Sequence, residues 1–206
     1  MNKIYSATAI GLVIAMLGGT AVYVLLNQAG EDEFASCRSS AVAGGDIGGP
    51  FELVSETGET VTDADVITTP TLVYFGYTFC PDVCPLDSAR NAEALDLLAA
   101  RGIDAGALFI SIDPERDTPE VLAEYTEAMH PKMIGLTGSP QQVKAASQVY
   151  KTYYQKQPGD PDYYLMDHST FTYLMLPEKG FVEFFRRDTT PEQIADTLAC
   201  YAEVSS

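Results

Sequence analysis

The chain has 206 residues, enough for one folded domain or at most two small ones. Apolar types make up 46% and charged types 20%, which excludes intrinsic disorder and collagen-like repetition. Lys and Arg number 12 against 29 Asp and Glu, a formal charge of −17, so nucleic acid and anionic lipid are poor partners and a cationic protein or a metal cation suits better. Four cysteines are too few for a disulfide-built miniprotein.

Ile4–Leu26 is an uncharged apolar run of 23 residues. As a helix it would measure about 34 Å, against a hydrocarbon core of roughly 30 Å. The apolar region of a cleaved signal peptide is normally shorter, and Val22–Leu26 continues apolar past the small residues Gly19 and Ala21. Glu31, Asp32 and Glu33 separate the run from Phe34–Cys37, a spacing that a lipoprotein signal does not tolerate. Residues 1–27 are therefore expected to form a cytosolic stub and one uncleaved transmembrane anchor. Lys3 lies on one side and no further base occurs before Arg38, so the positive-inside rule exports everything after Asn27. The exported part carries all 29 acids and 11 of the 12 bases. A single-pass protein of a bacterial inner membrane, with its soluble domain in the periplasm, is the expectation. Residues 28–50 are small, polar and Gly-rich and read as a tether; residues 51–206 read as the folded domain.

Thr71–Tyr77 (TLVYFGY) is a β-branched and aromatic run that predicts a buried strand. Pro85 suits a first helical position, and Asp87–Ala100 carries apolar residues at helical spacing. Ala107–Ile112 predicts a second buried strand, which completes a crossover unit. Thr118-Pro119, Ser139-Pro140 and Thr190-Pro191 each place a capping hydroxyl before a helix-starting proline, and Gln142 and Gln193 complete capping boxes in the last two. Thr170–Leu176 and Phe181–Arg186 flank the turn Pro177–Gly180, a hairpin signal. A crossover unit, a hairpin and a closing helix predict an α/β, thioredoxin-like fold: a central mixed sheet flanked by helices, here preceded by one N-terminal transmembrane helix.

Cys80 and Cys84 bracket Pro-Asp-Val directly after the first strand, at the mouth of the helix that follows. A helix N-terminus offers unpaired N–H groups and a positive dipole end, both of which favour thiolate. Four-residue spacing brings the two side chains to one side. Such a pair closes a disulfide or holds a soft metal; two inert buried cysteines are the bland alternative. Structural zinc fits poorly, because it wants four ligands and no second CxxC or CxxH pair occurs. His168 stands in Met166-Asp167-His168-Ser169, just before the hairpin, where a thioredoxin would show a proline. In a thioredoxin-like chain that segment precedes the strand beside the strand–helix mouth, so His168 is placed to face both cysteines. Two sulfurs and an imidazole suit copper, as three-coordinate Cu(I) or, with an added ligand, Cu(II). An ordinary hydrogen-bonded loop histidine is the alternative for His168. His130, in Met129-His130-Pro131, reads as a structural residue at a helix end.

GYTFCPDVCP, SIDPERDTPEVL (Ser111–Leu122), IGLTGS (Ile134–Ser139) and DHST (Asp167–Thr170), in that order, resemble the Sco family over about Gly49 to Leu198. The resemblance implies a membrane-anchored, thioredoxin-fold copper protein of cytochrome c oxidase assembly. It places Cys80, Cys84 and His168 at the family's copper ligands. It implies cytochrome c oxidase subunit II, with its dinuclear copper centre, as the partner served, and another periplasmic copper donor as a further candidate. Reduction of that subunit's cysteines before metallation is a related implied role.

Asp82 and Asp167 adjoin the ligand candidates and could steer copper or orient His168; each reads equally well as a solvated loop carboxylate. Met133, Met166 and Met175 are scattered, which favours core packing over a thioether site. Cys37 and Cys200 lie outside the motif, and in an oxidising periplasm an even remainder of two suggests a disulfide. Idle thiols or links to another chain are the alternatives. Three functions compete: a copper-binding assembly factor that is not a turnover enzyme, a thiol–disulfide oxidoreductase with Cys80 and Cys84 as its redox pair, and a peroxidase. The last is weakest, since no Arg neighbours the motif before Arg90. His168 separates the first two, because dithiol exchange does not need it. They are not exclusive, since copper binding requires the reduced pair.

Overall fold

The structure, a computed structural model, describes residues 2–27, 34–38, 47–160 and 163–204. The chain divides into two units, residues 1–36 and 37–206. In the first, α1 (Asn2–Asn27) is one continuous helix with no acidic residue in its first turn and no basic residue in its last. Its described side chains, those of residues 11–23, are all exposed. Among the described residues no helix is long and apolar enough to cross a membrane. Of the stretch expected as a tether, residues 28–33 and 39–46 lie outside the described residues.

The second unit begins with a hairpin, β1 (Glu52–Ser55) and β2 (Thr60–Thr62), followed by the single turn α2 (Asp63–Val66). Then come β3 (Thr71–Gly76), α3 (Val83–Ala100), β4 (Gly106–Ser111), α4 (Pro119–Met129), β5 (Met133–Thr137) and α5 (Pro140–Val149). The chain closes with the short strands β6 (Tyr154–Lys156) and β7 (Met166–His168), the hairpin β8 (Thr172–Leu176) and β9 (Gly180–Phe185), and α6 (Pro191–Val204). Seven strands form one sheet in the order β2-β1-β5-β4-β3-β8-β9. The neighbours β3, β4 and β5 run parallel, and the pairs toward both edges are antiparallel, so the sheet is mixed. Among the described residues, the two strands β6 and β7 pair only with each other, as a separate ribbon.

Every residue of β3 is buried, as its unbroken apolar run requires of a central strand covered on both faces. Around it Leu72, Leu108, Ile110, Phe109 and Tyr74 are almost fully buried, each large apolar side chain contributing about 1.5–3 kcal/mol relative to exposure. Phe75, Tyr150 and Tyr173 interlock with centroids 5.2 and 5.4 Å apart. The cap signals mark their helices. Thr118 accepts from the Val121 amide, Ser139 and Gln142 form a reciprocal box, and so do Thr190 and Gln193. The β8–β9 turn places Glu178 and Gly180 at positive φ of 60° and 75°. Glycine bears that conformation without a Cβ penalty.

The strand–helix mouth differs from expectation at both of its ends. β3 stops at Gly76, and α3 starts at Val83, two residues before Pro85. Pro85 is thus the third helical residue, where its missing N–H is still one of the four that a helix start leaves unpaired. Within the expected tether, the Gly48 amide donates to Val149 O at 2.8 Å, and Cys37 is disulfide-bonded to Cys200 on α6, with the Cα atoms 5.5 Å apart.

Candidate metal centre

The site lies where β3 ends and α3 begins. At Gly76, the last residue of β3, a side chain would meet the Tyr74 and Phe109 rings at 2.8 and 2.9 Å, so glycine lets both rings close beneath the loop. Residues 77–82 then carry the chain to α3, whose second residue is Cys84. The Cys84 amide, one of the unpaired donors at that helix start, points at Cys80 Sγ from 3.4 Å. Cys84 is fully buried and Cys80 is 8% exposed; neither is in a disulfide.

His168, the last residue of β7, reaches the same point from the other side. Its Nε2 lies 3.4 Å from Cys84 Sγ, and its Nδ1 lies 2.8 Å from the Ser169 carbonyl oxygen. A carbonyl only accepts, so Nδ1 carries the hydrogen and Nε2 keeps its lone pair toward the sulfurs. The rings of Tyr74 and Tyr77 stand edge-on to the imidazole, at 6.3 and 5.9 Å, and fix its plane. Among the described residues, Cys80, Cys84 and His168 form a grouping whose ligand atoms all lie within 4.8 Å of one another.

Burial sets the protonation states. It pushes the Cys84 thiol well up, outweighing the stabilising hydrogen bonds near it. Desolvation at Cys84 thus works against the thiolate that a helix N-terminus favours. Burial also holds the His168 imidazole below its ordinary range, against the opposing hydrogen bond to Ser169, so the ring is neutral at neutral pH. A neutral ring with a free Nε2 is the form that binds a metal. Two sulfurs and one imidazole suit a soft or borderline cation rather than a hard one.

The other candidates sit apart from this point. Asp82 is exposed at the N-cap of α3 and makes no side-chain capping bond. Asp167 is exposed and accepts from Gln157 Nε2 at 2.6 Å, and the Ser169 carbonyl holds His168 Nδ1. Alternation along β7 turns Asp167 to the face opposite His168. Met133, Met166 and Met175 are buried core side chains. His130 caps α4, accepting from the Lys132 amide through Nδ1 and facing Asp96 through Nε2.

The segment after β4 supplies residues to which the sequence assigned no role. Asp117 is fully buried and accepts from the Thr78 amide and hydroxyl and from Ser111 Oγ, at 3.1, 2.6 and 2.6 Å, which fastens the loop ahead of Cys80. Asp113 accepts from Tyr164 Oη and pairs with Arg116. On α3, the buried Asp87 accepts from Tyr74 Oη at 3.0 Å and faces Arg90 and Arg187. The sequence signals for Asp113, Arg116 and Asp117 are their density of charge in a run (DPERD) that follows a buried strand directly and the place of that run in the motif SIDPERDTPEVL.

Residues 40–203 match the SCO1/SenC family. Protein SenC of Rhodobacter capsulatus is 53% identical over 204 residues, covering 98% of this chain and 91% of that protein. Copper-bound ScoI of Arabidopsis thaliana superposes with a TM-score of 0.72 at 40% identity, over 76% of this chain and 99% of that one. Copper-bound ScoI of Bradyrhizobium japonicum gives 0.69 at 40% identity, over 75% and 99%.

Proposed function

The chain belongs to the SCO1/SenC family, and on that premise we propose that it is a membrane-anchored copper chaperone that carries one copper ion on Cys80, Cys84 and His168 for assembly of cytochrome c oxidase. The observation that carries this reading is the convergence of two sulfurs and one imidazole lone pair within 4.8 Å. Thiolate and imidazole donors select a soft cation by chemistry rather than by cavity size. Binding the ion requires both thiols to give up their protons, while the neutral imidazole gives up none. With Cys80 near the surface and Cys84 sealed beneath it, a recipient's ligands reach the cargo from the Cys80 side. The recipient is the dinuclear copper centre of oxidase subunit II, with another periplasmic copper donor upstream. The uncharged run Ile4–Leu26, about 34 Å as a helix, supports a bacterial inner-membrane anchor, and Lys3 supports a periplasmic domain.

Reduction of the oxidase subunit's cysteines is a second reading, favoured by the unbonded state of Cys80 and Cys84. In that exchange the pair passes two electrons and two protons to the partner's disulfide and is itself left as a disulfide. Titration of the reduced full-length chain with Cu(I), against a competing chelator, tests the first reading. One copper per wild-type chain is expected. Cys80→Ser should lose tight binding, because a hydroxyl is a poor ligand for a soft ion. His168→Ala should weaken binding, and His130→Ala should leave it unchanged. Full occupancy in Cys80→Ser at the same chelator strength overturns the assignment.

A further inference from the structure

His168 belongs to the two-stranded ribbon β6–β7, with three residues in each strand, and not to the central sheet. A ribbon of that size has little stability of its own. Cys84, 84 residues earlier in the chain, sits on a helix packed against the core. Something else must hold the imidazole at 3.4 Å from the sulfur, because a metal site loses affinity when its supporting contacts are loose.

Arg116 touches both sides of the gap. Its guanidinium carbon lies 3.6 Å from the centroid of Tyr164, two residues before β7, and 4.8 and 5.7 Å from those of Phe79 and Tyr77, in the loop that leads to Cys80. Its Nε pairs with Asp113, which also accepts the Tyr164 hydroxyl at 2.7 Å. Its Nη2 is buried and has no hydrogen-bond partner among the described residues, so aromatic faces and one carboxylate are what hold the group. Tyr77 completes the link by accepting the Met166 amide at 3.2 Å, at the start of the strand that ends in His168. A planar guanidinium lies face to face on a ring while its in-plane N–H groups pair with Asp113; an ammonium, such as that of Lys156 at 3.5 Å over the same Tyr164 ring, meets it only as a point charge.

We propose that Arg116 is a positioning residue that sets the distance between the Cys80–Cys84 pair and His168 by stacking on Tyr164 from one segment and on Tyr77 and Phe79 from the other. The effect on copper rests on the function proposed above; the clamp itself is a property of the metal-free chain. Two readouts on the detergent-solubilised full chain separate these. The first is amide exchange in metal-free Arg116→Ala, Arg116→Lys and Tyr164→Leu, with the β3–β4 peptides as internal reference. Exchange should rise about tenfold in the peptide spanning Met166–His168 and stay at wild-type rate in β3–β4. The second is Cu(I) affinity by chelator competition, which should fall about tenfold in all three variants with one copper still bound.

Wild-type exchange and wild-type affinity in Arg116→Ala would overturn the proposal. Full restoration of both by Arg116→Lys would also overturn it, since charge alone would then suffice. Should Arg116→Ala fail to fold, Tyr164→Leu, which keeps the arginine and removes its nearest ring, decides by the same two outcomes. Should the wild-type chain bind no copper, the functional reading fails and the exchange arm alone decides on the clamp.

Discussion

At the scale of residues, burial governs the site more than local sequence does. The meeting of Cys80 and Cys84 was expected from helical spacing, but Cys80 lies in the loop ahead of α3, and the Cys84 amide at 3.4 Å from Cys80 Sγ is the contact that joins them. The protonation of Cys84 was not legible, because it depends on the desolvation that the whole fold imposes. Asp117 shows the same limit. Its partner Thr78 lies 39 residues away, and no local pattern pairs them. Burial raises the Asp117 carboxyl above the ordinary carboxylate range, although Ser111 and Thr78 oppose it. A raised folded-state value means that its contribution to stability is fully present below the unfolded value of about 3.9 and is lost as pH rises through the folded value. Asp117→Asn removes this titration. Unfolding free energies of wild type and variant, measured from acid to neutral pH, should therefore show wild type losing ground relative to the variant as pH rises. A gap moving in wild type's favour over that window would contradict the assignment.

At the scale of elements, those with their own start signals were legible: α4, α5 and α6 carry a capping hydroxyl and a proline, and β3 and β4 are continuous apolar runs. The strands β1, β2, β5, β6 and β7 were not. Most are three to five residues long and hold their place through partners distant in the chain, so periodicity has too few positions to register. β7 is the consequential case, because Met-Asp-His carries no strand signature and yet delivers the imidazole. The Cys37–Cys200 disulfide joins the segment ahead of β1 to α6 across 163 residues. Constraining so long a loop in the unfolded chain is worth at most about 5 kcal/mol. The Cys37→Ser, Cys200→Ser double variant should unfold at lower denaturant while binding copper as wild type does. Non-reducing peptide mapping should yield the cross-linked pair, and full alkylation of both residues without reductant would show it absent.

At the scale of the molecule, a net charge of −17 is compatible with a cation as cargo and with a basic recipient surface. The thioredoxin-like arrangement was legible from the order of crossover unit, hairpin and closing helix, since few topologies accommodate that order. The proposed anchor makes a prediction of its own: protease should digest the domain only after the outer membrane is opened, and a mature protein beginning at Val22 or later would contradict an uncleaved anchor. The proposed site holds a single copper on two sulfurs and one imidazole. X-ray absorption at the copper edge of the Cu(I)-loaded full-length chain reads those neighbours directly. The expected result is two sulfur and one nitrogen neighbours per copper, with the nitrogen lost in His168→Ala. A shell of nitrogen and oxygen without sulfur, or a spectrum unchanged in His168→Ala, would contradict it.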